Sequence, residues 1–280
     1  MIPIIKIEND RGEVLDFSTS TRYRAILTGT GPPAATINRS KVAMADGTRH
    51  NSGTVDERNL RLTVYLLRDV ARARLNLYKY LGTNAHIKVY YQADGLDVYV
   101  EGYVETAEVN PWERQENLQA SIICPDPYWK DVTETYTDAS AVEALFEFPF
   151  AIDSDGVELA RVDNAASTVI VNEGTAEAGA VYELQAVQIV TNPKVYNLTT
   201  GKFIGVDVEL QPGDRLVIST VTDKKTVTHI RNGTRSNFIN YVARGSAWPK
   251  LAIGANEYSY VTDSGECKLH IYHTNMYIGV

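Results

Sequence analysis

The chain has 280 residues, 44% hydrophobic and 22% charged, which excludes a disordered or fibrous protein and exceeds the usual size of one hydrophobic core, so two domains are expected. A net charge of -8 excludes phosphate binding through lysine and arginine as the main activity, so no sequence-specific contact with nucleic acid is expected. No segment reaches membrane-spanning length and the start, Met1 to Glu8, lacks a secretory leader pattern, so no membrane partner is expected either.

Seventeen tyrosines with abundant valine, isoleucine and threonine predict a mainly β protein. In chain order, Gly29-Thr30-Gly31-Pro32-Pro33 reads as a turn, because the strand, helix and spacing of a phosphate-binding loop are missing. Asn59 to Leu66 alternates as Leu60, Leu62, Val64 and Leu66, a half-buried strand. From Leu67 to Leu81 the apolar positions Val70, Ala73, Leu77, Tyr78 and Leu81 fall three or four apart, which predicts the one helix, with Asp69 as its N-cap and Gly82 as its left-handed stop. Arg68, Arg72 and Arg74 form its solvated edge, able to meet an acidic partner.

Ala85 to Tyr91 predicts the next strand, Asp94-Gly95 a tight hairpin turn, Asp97 to Val104 the return strand, and Glu116 to Cys124 one more. Pro125 and Pro127 fix φ and lack amide protons, so Cys124-Pro125-Asp126-Pro127 ends that strand on a rigid exit path that Tyr128 and Trp129 anchor. The polar stretch Asp131 to Ser140 reads as a linker, which divides the chain into domains 1-135 and 136-280. Beyond it, short β patterns recur at Ala144 to Phe150, Val169 to Asn172, Tyr182 to Val190, Lys194 to Asn197, Lys202 to Val208, Arg215 to Ser219, Thr226 to Arg231, Glu257 to Val261 and Cys267 to Tyr272. Turn signals such as Pro212-Gly213-Asp214 and Asn232-Gly233 separate them, the cadence of a β-sandwich.

Catalytic and metal constellations find little support. Glu101 and Glu105 on one strand stand about 13 Å apart, too far for a paired-carboxylate hydrolase. His270 and His273 differ in strand parity, His229 is remote, and Cys124 and Cys267 are widely separated free thiols, so no catalytic residue, metal site or cofactor is expected.

Ile122 to Trp129, Asp46-Gly47-Thr48 with Gly53 to Leu60, and Glu101 to Glu105 with Pro111-Trp112 resemble, in that order, the closing motif of the N-terminal domain, the loop with its following strand, and the late strand and loop of the siphovirus distal tail proteins. In the second half, Leu210 to Thr220 with Lys225-Thr226-Val227, Ser246 to Leu251, Ile253 to Glu257 and Tyr277 to Val280 resemble the sandwich domain of phage tail proteins. The resemblance implies an antiparallel α+β tail-ring domain followed by a galectin-like or carbohydrate-module-like sandwich. It also implies a non-enzymatic hub, hexameric at the distal end of the virion tail and assembled in the host cytoplasm. Its implied partners are the tail tube, a tail-tip or lysin-type protein and receptor-binding proteins, with DNA passing through unread. The alternative is a carbohydrate-binding module, with Trp248 near Arg244 and Tyr258 near Asn256 as candidate glycan contacts.

Overall fold

Strict alternation of apolar residues builds the first sheet. In the computed structural model, which describes residues 3–44, 46–110, 115–139, 142–143, 161–162 and 167–280, Leu60, Leu62 and Val64 are wholly buried and Leu66 nearly so. The chain divides into two units, Met1–Val132 with Met276–Val280, and Thr133–Asn275.

The N-terminal unit runs β1 (Ile4–Asn9), β2 (Val14–Asp16), β3 (Tyr23–Thr28), β4 (Ala35–Lys41), β5 (Thr48–Val55), β6 (Arg58–Leu66), helix α1 (Val70–Leu77), β7 (His86–Ala93), β8 (Leu96–Asn110), β9 (Asn117–Cys124) and β10 (Trp129–Asp131). Its main sheet is antiparallel in the order β2-β1-β7-β8-β9-β6-β3, with β10 added beside β8. One face of this sheet, with Ile7, Leu62, Val89 and Leu118, packs with Ala73 and Leu77 of α1 into a single cluster. Asp94 and Gly95 take φ of 50° and 88°, so the turn between β7 and β8 has the positive angles its sequence demands.

The helix is shorter than its apolar pattern, because single turns take over from Tyr78 to Leu81. Asp69 is itself left-handed, with φ 49°, and makes no side-chain cap; its carboxylate lies 3.6 Å from Arg22. The helix stops on Tyr78 in right-handed geometry, and the glycine expected to end it is not in the left-handed region. Within the stripe Ala73, Leu77 and Leu81 are buried, but Tyr78 is exposed and Tyr80 takes its place. The arginine edge is also partly paired, since Arg74 Nη1 bonds Glu116 Oε1 at 2.7 Å.

β8 runs to Asn110, six residues beyond its expected end at Val104, and carries a bulge between Val104 and Thr106. The inward set changes there from Val98, Val100 and Val104 to Ala107 and Val109. Glu101 pairs with Lys88 at 3.6 Å, and Glu105 accepts a hydrogen bond from Ser121 at 3.0 Å.

The C-terminal unit runs β11 (Thr135–Asp138), β12 (Val142–Glu143), β13 (Arg161–Val162), β14 (Thr168–Asn172), β15 (Ala180–Ala186), β16 (Val190–Thr191), β17 (Lys194–Asn197), β18 (Lys202–Gly205), β19 (Glu209–Leu210), β20 (Arg215–Ser219), β21 (Thr226–Arg231), β22 (Thr234–Asn237), β23 (Gly254–Val261) and β24 (Cys267–His273). Six strands in the order β11-β24-β15-β20-β21-β22 form one sheet, and β14-β23-β17-β18 form another. Leu184, Leu216 and Ile271 of the first share one buried cluster with Ile170, Val195 and Tyr260 of the second, so the unit is a β-sandwich. The expected strand Tyr182 to Val190 is two, because β15 ends at Ala186 and β16 pairs elsewhere, with β19. Part of the expected linker is sheet: Thr135–Asp138 pairs with β24 as an edge strand. Pro111-Trp112 and Ala144 to Phe150 lie outside the described residues.

The last strand, β25 (Met276–Tyr277), belongs to the N-terminal unit and pairs with β10. The sandwich is therefore inserted between β10 and β25 of that unit.

Candidate structural hub at Arg58 and candidate binding surfaces

Arg58 opens β6 in phase with Leu60, Leu62 and Val64, so the fold carries its side chain into the interior, where it is 1% exposed. A buried guanidinium must satisfy its donors within the protein. Nε donates to the Pro127 carbonyl at 2.7 Å, Nη1 to the Gly29 and Gly31 carbonyls at 2.9 and 2.5 Å, and Nη2 to the Ile278 carbonyl at 2.7 Å. The cation also lies 5.5 Å from the centre of the Trp129 ring. Burial lowers its pKa from the ordinary arginine value.

The glycine cluster is thus a turn with a task. Gly29 has φ +83°, and a Cβ there would strike the Asn59 carbonyl, so only glycine lets the loop aim its carbonyls at the arginine. The Thr30 carbonyl accepts from Trp129 Nε1 at 3.3 Å and from the Val280 amide at 3.0 Å.

The junction motif surrounds the same point. Cys124 pairs in register with Arg58 and is wholly buried; burial pushes its thiol up to about 12, with the nearby arginine opposing. Pro125 is exposed, Pro127 supplies a carbonyl, Tyr128 is half-buried and Trp129 is fully buried. Asp126 pairs with Lys130 at 2.7 Å; burial, the largest single influence, works against the charge of Lys130, but that bond together with the negative charge of Asp126 and its neighbours raises its pKa. These residues lock a corner and present no reactive group. Cys267, in the sandwich core, is likewise raised to about 12 by burial.

A second polar knot fixes the sandwich. Asp214, in the Pro212-Gly213-Asp214 turn, accepts from Arg231 Nε at 3.0 Å and Nη2 at 2.6 Å, from the Gln211 amide at 2.9 Å, and bonds His229 Nε2 at 3.0 Å. The Arg231 hydrogen bonds, outweighing burial, hold the carboxyl far below the usual range. His229 is a buried partner of this knot, its ring 4.7 Å from that of Phe238. His270 faces outward, 2.9 Å from the Tyr136 hydroxyl, and His273 faces inward, as strand parity requires. Among the described residues no group of three metal-binding side chains converges.

The structure does not gather the four glycan candidates into a site. Tyr258 is buried between Asn197 Nδ2 and the Tyr182 hydroxyl, both at 3.0 Å. Asn256 is wholly buried and donates to the Ala252 and Gly254 carbonyls. Trp248 is half-buried with Lys225 Nζ 5.5 Å from its ring centre, and Arg244 is exposed. A sugar needs an open ring face, and neither Tyr258 nor Asn256 can reach one.

The ribbon of β4 and β5 is uncovered. Every residue of both strands is exposed, and among the described residues the two pair with each other and no other strand.

Residues 173–277, within the sandwich unit and strand β25, match the family model described as siphovirus-type tail component, C-terminal domain. The resemblance to siphovirus distal tail proteins read from the sequence therefore holds. The fold of the whole chain is that of the Dit protein (gp 19.1) of phage SPP1, a paradigm of the hub of the adsorption apparatus in phages that infect Gram-positive bacteria. That likeness has a TM-score of 0.70 and 14% identity, and covers 97% of this chain and 98% of that one. A chain of the phage P2 baseplate in its activated conformation with Ca is similar at a TM-score of 0.52 and 12% identity over all of both chains. No curated protein matches the sequence.

Proposed function

We propose that this chain is a distal tail protein, a non-enzymatic baseplate hub that closes into a hexameric ring joining the tail tube to the tail tip. The observation that carries the reading is a tail-component domain at residues 173–277 set within a whole-chain fold shared with the SPP1 hub protein. In this reading the N-terminal units form the ring by heterologous contacts that close on rotation, and DNA passes through the channel without being read. The sandwich holds receptor-binding or other baseplate proteins, and a tail-tip protein continues from the ring. The carboxylates that outnumber cations, 35 to 27, suit a passage that repels phosphate.

Gold-labelled antibody against the chain tests the reading on tailed particles that contain it. Label at the distal end of the tail is expected. Label along the tube or on the head overturns it.

A further inference from the structure

β22 ends the six-stranded sheet of the sandwich; its four residues are all exposed, and among the described residues no strand lies beyond it. The two-residue turn at Asn232 and Gly233, with φ of 50° and 79°, sets a register in which Arg231 pairs with Thr234 and His229 with Ser236. The Phe238 amide continues that series by bonding the Val227 carbonyl at 2.8 Å. Backbone groups alternate between the two sides of a strand, so Arg235 and Asn237 turn their amides and carbonyls away from β21, toward the open edge. Such an edge is a template for one more strand.

Beside that edge lies a groove of about 340 Å³. Lys225 and Arg235 bring its charge, Thr226, Thr228, Ser236 and Asn237 its hydroxyls and amide, and Ile239 an apolar wall. No carboxylate lines it, although the chain as a whole is at -8. Other arginines of this sheet are neutralised, Arg215 by Glu183 at 3.3 Å and Arg231 by Asp214 at 2.6 Å. Among the described residues Lys225 and Arg235 have no ion-pair partner, and Lys225 Nζ instead lies 5.5 Å from the centre of the Trp248 ring. A lone charge on a short edge strand only guards it against stray pairing, but two unpaired cations over a carboxylate-free groove leave a charge to be met. We propose that the β22 edge and this groove are a strand-addition site for an extended, acidic segment of another protein chain. The backbone of that segment pairs with Arg235 and Asn237, and its carboxylates, at alternate positions, meet Arg235 and Lys225. The inference rests on the reading of the sandwich as the part that holds other baseplate proteins, and names where and by what chemistry it does so. A phosphate backbone would meet the cations and the outward amides but has no donor for the outward carbonyls.

The test is fluorescence anisotropy of short labelled peptides titrated with the full chain, with circular dichroism to confirm that each variant folds. A peptide alternating threonine and glutamate is expected to bind saturably. Methylating its glutamate amides removes the strand hydrogen bonds and keeps the charge, and is expected to weaken binding by about tenfold or more, as is Lys225→Glu with Arg235→Glu. Lys202→Glu, at an exposed cation on the other sheet, should leave binding unchanged. No saturable binding, or binding untouched by amide methylation or by the paired substitution, overturns the site, and so does an equal loss in Lys202→Glu. Binding of polyphosphate in place of the peptide overturns it in favour of a phosphate ligand. A fall in light-scattering mass caused by the paired substitution overturns it in favour of a second copy on the same edge. None of these outcomes alters where the antibody label falls on the tail, so the proposed function stands or fails separately.

Discussion

Replacing Arg58 with methionine would leave the Pro127, Gly29, Gly31 and Ile278 carbonyls without their donor in a dry interior. Removing one side of such a buried charged network costs about 3–5 kcal/mol, and the urea midpoint of the N-terminal unit should fall accordingly. Arg58→Lys keeps the charge but sets its donors on one nitrogen, which cannot span four diverging carbonyls, so it should recover less than half of the loss. A midpoint unchanged in Arg58→Met would refute the role assigned to this residue. Asp214 gives a prediction with a sign. Its native pKa is depressed, first by the Arg231 hydrogen bonds, so its stabilisation is present above the ordinary value of 3.8 and drains away as pH falls below it. Acid unfolding of the sandwich should therefore begin near pH 4, and Asp214→Asn should flatten that dependence while costing about 3 kcal/mol at neutral pH. An unaltered pH profile in the variant would contradict it. Arg58 itself was legible in principle, as a charge in phase with Leu60, Leu62 and Val64 on a strand. Its four carbonyl partners lie as far away as Ile278 and leave no mark in local pattern.

At the scale of elements, alternation recovered the strands whose two faces differ most. β17, β20 and β21 stand where their sequences place them, because Val195, Leu216, Ile218 and Val227 contrast with polar neighbours. Elements without that contrast escaped. Thr135–Asp138 reads as polar linker and is an edge strand held by backbone pairing with β24, and the ribbon strands have no buried face to alternate with. The bulge at Glu105 also has no sequence signature, since a one-residue insertion in a ladder is set by the partner strand. Tyr258 and Asn256 looked like surface groups because polar side chains usually are, and here interior hydrogen bonds satisfy them. Strand β25 makes the clearest test at this scale. Deleting Met276 to Val280 removes its pairing with β10, the Ile278 carbonyl and the Val280 amide bond to Thr30. Hydrogen exchange should quicken in β6, β9 and β10, with the sandwich strands β15, β20 and β24 protected as before. Uniform loss of protection across both units, or no change in either, would contradict this.

On the scale of the whole molecule, the mainly β class and the sandwich were readable from composition and turn spacing, whereas the return of the chain to its first unit was not. That return depends on backbone pairing at Trp129 and Thr30 and on the Arg58 guanidinium, which no periodicity reports. One feature of the single chain stands out at this scale, a ribbon whose residues are all exposed. Within the chain, the Arg58 hydrogen bonds lie inside the N-terminal unit and the Asp214 hydrogen bonds inside the sandwich. No helix among the described residues is long and apolar enough to cross a membrane. Ring formation is the property on which the proposed function turns. The deciding measurement is light-scattering mass of the purified chain over a concentration series, with negative-stain microscopy of the same samples. A hollow ring of six 31.1 kDa chains is the predicted result, and a 31.1 kDa particle at every concentration would contradict it.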